Sequence, residues 1–213
     1  APILSVSDVA VTQGTPLVHA VSASDADGGA GLLFAKTAGP DWISINAVTG
    51  AVTGNTAGQV GVFDVTVTVT DPDGLTATRT FAVDVNVVPQ ISASNVTLVA
   101  GEALSILPLV VDPDSAAGSL TYALAAGAPA WLAVDSATGE VTGDTTGQIG
   151  VTSFGLTVTD EAGLSASTTV TVTVRARPVL VLTDASLTEG AALSHSISAT
   201  SYGTAGTSRT ANL

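Results

Sequence analysis

One block of this chain occurs twice without a gap, and that repetition limits the possible folds more than any other feature. "PDWISINAVTGAVTGNTAGQVGV" (40–62) aligns with "PAWLAVDSATGEVTGDTTGQIGV" (129–151), placing Trp42 on Trp131, Gly50 on Gly139, Gly54 on Gly143 and Gly61 on Gly150. At the same offset, "TVTVTDPDGLTAT" (66–78) matches "GLTVTDEAGLSAS" (155–167). Upstream, "PILSVSDVAVTQGTPL" resembles "PQISASNVTLVAGEAL" and, a third time, "PVLVLTDASLTEGAAL". The 213 residues therefore divide into module 1 (1–87), module 2 (88–176) and an incomplete third (177–213).

Within a module the apolar period is two. Val65, Val67 and Val69 alternate with Thr66, Thr68 and Thr70, which puts valines on a core face and threonines outward. "DPDG" (71–74) then separates this run from the alternating "LTATRTFAVDV", the pattern of a β-hairpin. Only 4% of residues are aromatic, so the cores must be aliphatic, while 22 Gly and 9 Pro supply turns. About seven short strands per module predict an all-β chain of tandem Greek-key β-sandwiches, two complete and one partial. The one Trp of each full module reads as a plug in the core rather than a ligand platform. The ladder "TGxVTGxTxGQxG" reads as tight turns, because a phosphate loop would need a Lys and a following helix.

Eighteen acidic residues against five basic ones give a formal net charge of −13, and Lys36 is the sole lysine. Such a chain repels nucleic acid and anionic membranes, and it suits solubility or divalent cations. Cysteine is absent, which argues against a small disulfide-rich domain. No run of 18 apolar residues occurs, so membrane insertion is not expected. The opening "APILSVSDVA" lacks a basic flank and an apolar signal core, and reads as a mature protein or a piece of a longer one.

The pattern Asp-x-Asp, Trp-[Ile/Leu], Thr-Gly-x-Val-Thr-Gly, Gly-x-[Val/Ile]-Gly and Val-Thr-Asp-x-x-Gly-Leu resembles dystroglycan-type cadherin-like domains and the related bacterial Ig-like domains. The resemblance covers both full modules and the opening strands of the third. It implies a cadherin-like fold and an extracellular, cell-surface setting. Such domains form tandem arrays in large secreted bacterial adhesins that serve attachment and biofilm formation. Expected partners are neighbouring repeats, further copies of the chain, or a cell-surface or carbohydrate ligand.

Catalysis is not expected. His19 and His195 occupy equivalent positions where module 2 has Ile106, the mark of a structural site. Gly-x-Ser-x-Gly and Cys nucleophiles are missing, as are clustered zinc ligands.

Calcium is the remaining candidate, since it takes six to eight oxygens in a flexible arrangement. In a Greek key, the loop after the second strand and the loop before the last lie at one end. In module 2 these carry Asp112 and Asp114, then Asp160 and Glu161; in module 1, Asp25 and Asp27, then Asp71 and Asp73. Cadherin linkers read Asp-x-Asn-Asp-Asn. Here Asp84 and Asn86 echo that motif, with Val87 and Val88 where further ligands would stand. The resemblance thus implies one calcium at the 1–2 joint, on Asp112, Asp114, Asp160, Glu161, Asn86 and Asp84. A second candidate lies at the outer pole of module 1, on Asp25, Asp27, Asp71 and Asp73. The alternative is solvated turn aspartates. "DPDG" is no EF-hand, for it lacks the third acidic position and the closing Glu. The second linker, "VTVRARP", has Arg175 and Arg177 instead, and calcium is not expected there.

Residues 178–213 are too few for a sandwich, so another element must cover them. Two alternatives to an adhesin segment follow. One is a filament subunit joined by strand exchange of the partial module. The other is a carbohydrate-binding accessory module, for which Tyr122 and Tyr202 would be the platform.

Overall fold

The computed structural model describes residues 1–213 except 27–30, 117, 182–188, 191–197, 203–207 and 213. Among the described residues all regular elements are strands. They group into two compact units: Ala1–Val88 with Asp112–Ser115, and Pro89–Val111 with Ala116–Leu213.

The first unit holds β1 (Ile3–Ser5), β2 (Val9–Thr12), β3 (Leu17–Ala20), β4 (Ser22–Ser24), β5 (Leu33–Ala38), β6 (Ile43–Ile45), β7 (Ala51–Gly54), β8 (Gly61–Thr70) and β9 (Thr76–Asn86). They form sheets β2-β9-β8-β5, β3-β7-β6 and β1-β4. The alternation in the sequence is realised directly. Val65, Val67 and Val69 of β8, with Phe81, Val83 and Val85 of β9, are buried in one cluster with Leu17, Ile43 and Val52 of the smaller sheet. The threonines between them face outward and join hydroxyls across the strands, Thr66 to Thr80 and Thr68 to Thr78, each at 2.9 Å.

The second unit repeats this with β10 (Gln90–Ser92), β11 (Val96–Val99), β12 (Ala103–Ile106), β13 (Leu109–Val111), β14 (Thr121–Leu124), β15 (Leu132–Val134), β16 (Val141–Asp144), β17 (Gly150–Thr159) and β18 (Ser165–Arg175). Leu156 of β17 and Val170, Val172 and Val174 of β18 pack with Leu104, Ile106, Leu132 and Val141.

Among the described residues, β1–β9 and β10–β18 give nine strands to each repeat in place of the seven expected, because the first two strands of each break. β1 pairs antiparallel with β4, whereas β2 runs parallel to β9 in the other sheet. Asp8 sits at that crossing, its Oδ1 accepting the Ala82 N–H at 2.8 Å, and Asn95 Oδ1 accepts the Thr171 N–H at the same distance in the second unit. A side-chain acceptor thus satisfies a strand donor where the ladder changes partner.

Each Trp is half-buried and packs against its core. A Cβ at Gly54 would lie 2.8 Å from Trp42 Cε3, and one at Gly143 would lie 2.8 Å from Trp131 Cε3. Only glycine permits that approach. Thr56 and Thr145 are fully buried at the following turn. Thr56 Oγ1 donates to the Thr15 carbonyl at 2.6 Å, and Thr145 Oγ1 to the Glu102 carbonyl at 2.5 Å, tying that turn to the one before β3 or β12.

Within the second unit, β19 (Val179–Val181), β20 (Ser198–Tyr202) and β21 (Ser208–Asn212) form a further antiparallel sheet. Val179 pairs with Thr200 at the spacing that joins Ile3 to Ser24 and Gln90 to Val111.

Candidate metal centre

The β8–β9 hairpin turns through residues 71–75. The Asp71 N–H donates to the Leu75 carbonyl at 3.0 Å, and Asp71 Oδ1 accepts the Leu75 N–H at 2.8 Å. Asp160 holds Leu164 in the same way, again at 3.0 and 2.8 Å. Gly74 and Gly163, both at φ +85°, supply the left-handed residue that the turn needs. Both aspartates are buried, so the leading acid of each motif closes a hairpin.

Asp160→Ala would leave the Leu164 N–H without its side-chain acceptor and is expected to cost about 1–3 kcal/mol. Asp160→Asn keeps Oδ1 and should retain most of that stability. Thermal unfolding of both variants checks this, and equal losses would mean that the charge rather than the acceptor matters.

Asp112 and Asp114 differ. The segment Asp112–Ser115 groups with the first unit. Asp112 Oδ2 accepts the Ser115 hydroxyl and Asp114 Oδ2 accepts the Val87 N–H, each at 2.9 Å. The remaining oxygen of each, Oδ1, is buried and has no hydrogen-bond partner. Burial raises the Asp112 pKa above the usual carboxylate value; the Ser115 hydroxyl opposes that shift and the Asp114 carboxylate adds to it. Two carboxylates with stranded oxygens are destabilised when both are charged.

The other sequence candidates are more scattered. Asp84 is exposed on β9, in register with Ala10 and Val62, and Asn86 is half-buried at its end. The Asp25 side chain is 3% exposed, with an oxygen 3.8 Å from the Ala1 backbone nitrogen. Asp73 is exposed in its turn, and Asp27 lies outside the described residues. Glu161, in the second unit, accepts the Ser119 hydroxyl at 2.6 Å. Among the described residues no three His, Cys, Asp or Glu side chains gather to hold a metal. His19 Nε2 lies 3.0 Å from the Ser7 carbonyl, and its ring lies 5.5 Å from that of Phe81. Tyr122, whose pKa burial raises, is half-buried and packs where a side chain on Gly139 would stand. The side chain of Tyr202 lies outside the described residues.

Residues 1–86 and 87–175 each match the family described as "Putative Ig domain". The chain belongs to this family. Among curated proteins none matches it. Of the solved structures similar to this Ig-like chain, Drosophila OTK extracellular domains 3–5 align at TM-score 0.57 and 13% identity, over 79% of this chain and 59% of that one. The titin I-band fragment I67–I69 aligns at 0.54 and 12%, over 83% and 66%. Protocadherin Gamma B2 cadherin domains 3–6 align at 0.46 and 22%, over 83% and 53%, so this chain spans about half the length of that structure. At these identities the structures speak to the fold alone.

Family membership does not bring a metal with it, so the residues themselves must show whether one fits. Asp112 and Asp114 each leave one buried carboxylate oxygen without a hydrogen-bond donor, and a carboxylate oxygen is the kind of ligand a hard divalent cation takes.

Proposed function

We propose that this chain is a structural, adhesive repeat segment of a bacterial cell-surface or secreted protein. In this reading it is without enzymatic activity and carries calcium at Asp112 and Asp114. The observation that supports it best is the tandem of Ig-like domains in which Asp112 and Asp114 each leave a buried carboxylate oxygen without a partner. A repeated sandwich with aliphatic cores and a net charge of −13 suits projection from a surface at high density. The modules are taken as 1–87, 88–176 and a partial 177–213, the third supported by the recurring first-strand pairing of β19 with β20.

Asp112 and Asp114 would hold the cation, with Asn86 and Asp84 of the same unit as the nearest candidates in sequence to extend the shell. Calcium supplies charge compensation there and no chemistry. A second ion at Asp25, Asp27, Asp71 and Asp73 belongs to the same proposal. The functional test is in-frame deletion of the coding segment in its source cells. Attachment to surfaces and to neighbouring cells should fall while growth is unchanged; undiminished attachment would contradict the adhesive reading.

A further inference from the structure

Beside Trp42 the first unit carries a cleft of about 440 Å³, a size within the range of small-molecule pockets. Its lining is of two kinds. Trp42, Pro16 and Val18 are apolar, and Val18 is 78% exposed despite its size. Ser44, Thr53 and Asn55 add hydroxyl and amide groups, and no lining residue is charged. Val18, Thr53 and Ser44 stand in one row across β3, β7 and β6, so apolar and hydroxyl groups adjoin. Ser44 and Thr53 share a hydrogen bond at 3.2 Å. Asn55 Oδ1 accepts the Ala57 N–H at 3.1 Å, which leaves the amide nitrogen as a donor.

Trp42 is half-buried, so its ring serves the core and the cleft together. The ring meets Phe63 edge-on, with centroids 5.3 Å apart, and lies where a Cβ on Gly54 would stand. Its Nε1 is buried without a hydrogen-bond partner, so packing alone holds the indole in place. Module 2 does not repeat this lining. By strand register and alignment, Ala103, Ser105, Ala133 and Asp144 take the places of Pro16, Val18, Ser44 and Asn55. Thr152 takes that of Phe63, and Ser105 donates to Glu140 at 2.7 Å. The fold therefore requires neither the larger apolar groups nor the lack of charge.

We propose that this cleft binds a unit of a neutral saccharide. The class follows from the lining. An anion would meet no cation there and a chain of net charge −13, and a cation would find no carboxylate. A neutral sugar ring offers an apolar C–H face to the indole and hydroxyls to Ser44, Thr53 and Asn55. The inference deepens the adhesive reading, on which its biological sense rests, by naming what the segment would hold. An open cleft of this kind gives a dissociation constant on the order of 1 mM, effective when many copies present it together.

The test is NMR of the full chain in EGTA, titrated with maltotetraose, cellotetraose and mannotetraose to about 10 mM, with tetragalacturonate as the anionic control. At least one neutral tetramer should shift the Trp42 indole resonance and the amides of Val18, Ser44 and Asn55, leaving Trp131 unmoved. The triple variant Val18→Ser, Ser44→Ala, Asn55→Asp installs the residues of module 2 and keeps Trp42. It should bind at least about tenfold more weakly. Should the variant lose its fold, the wild-type shifts decide. The proposal is overturned by no shift with any neutral tetramer, shifts that spare the cleft, equal binding of the anion, or a folded variant that binds equally. Chelation and the use of purified chain keep this outcome separate from calcium binding and from the attachment assay.

Discussion

Trp131→Ala should destabilise the second Ig-like unit by about 3 kcal/mol, at the lower end for a large aromatic because the ring is only half-buried. For a domain of this size that lowers Tm by more than 10 °C. The reason lies in the contact with Gly143, where the indole takes the volume of the missing Cβ and lies 2.8 Å from its ideal position. Gly143→Ala attacks the same contact from the other side, driving a methyl against the ring and the Trp131 carbonyl. The two changes should therefore couple: an alanine at 143 costs less once the ring is gone, so the double variant should be more stable than the sum of the two losses. Calorimetry measures this, with Trp42 fluorescence reporting separately on the first unit. Additive losses, or a loss below about 1 kcal/mol, would show that the indole is peripheral to the fold.

That contact was half legible in the sequence. The gapless alignment of Trp42 with Trp131 and Gly54 with Gly143 marked the residues, but a periodic glycine reads first as a turn. Only the fold shows Gly54 and Gly143 inside strands, at β7 and β16, lying under an aromatic ring. Alternation foretold the cores well, because burial on a pleated sheet is a local property of period two. The breaks in the first two strands leave no local mark in the sequence, because Asp8 and Asn95 act on donors from β9 and β18, far away in sequence. Thr56 and Thr145 are illegible for the same reason, their hydroxyls bonding to distant carbonyls. Among the acids, sequence could not separate roles that composition makes identical. Asp71 and Asp160 close their own turns, Asp135 accepts the N–H groups of Ala137 and Thr138 with its pKa lowered by those bonds, and Asp112 and Asp114 are left with buried unpaired oxygens.

The carboxylate pair also sets the expected response to pH and cation. A carboxyl whose folded pKa is raised binds protons more readily folded than unfolded, so metal-free stability should fall as pH rises through the window above the ordinary Asp value. A divalent cation should reverse that loss. Asp112→Asn with Asp114→Asn should raise metal-free stability, since it removes two like charges from a site that strands them. It should also abolish the response to calcium. Extracellular sites of this kind have dissociation constants near 10⁻⁴–10⁻³ M, so about 10 mM calcium should add roughly 1.4–2.7 kcal/mol.

The decisive measurement is the Tm of the full chain at neutral pH, in EGTA and in 10 mM calcium, beside the double asparagine variant and a magnesium control. A calcium-specific rise of roughly 10 °C in the wild type, absent from the variant, is the predicted result. An unchanged Tm, or an equal rise in the variant, would contradict calcium binding at Asp112 and Asp114.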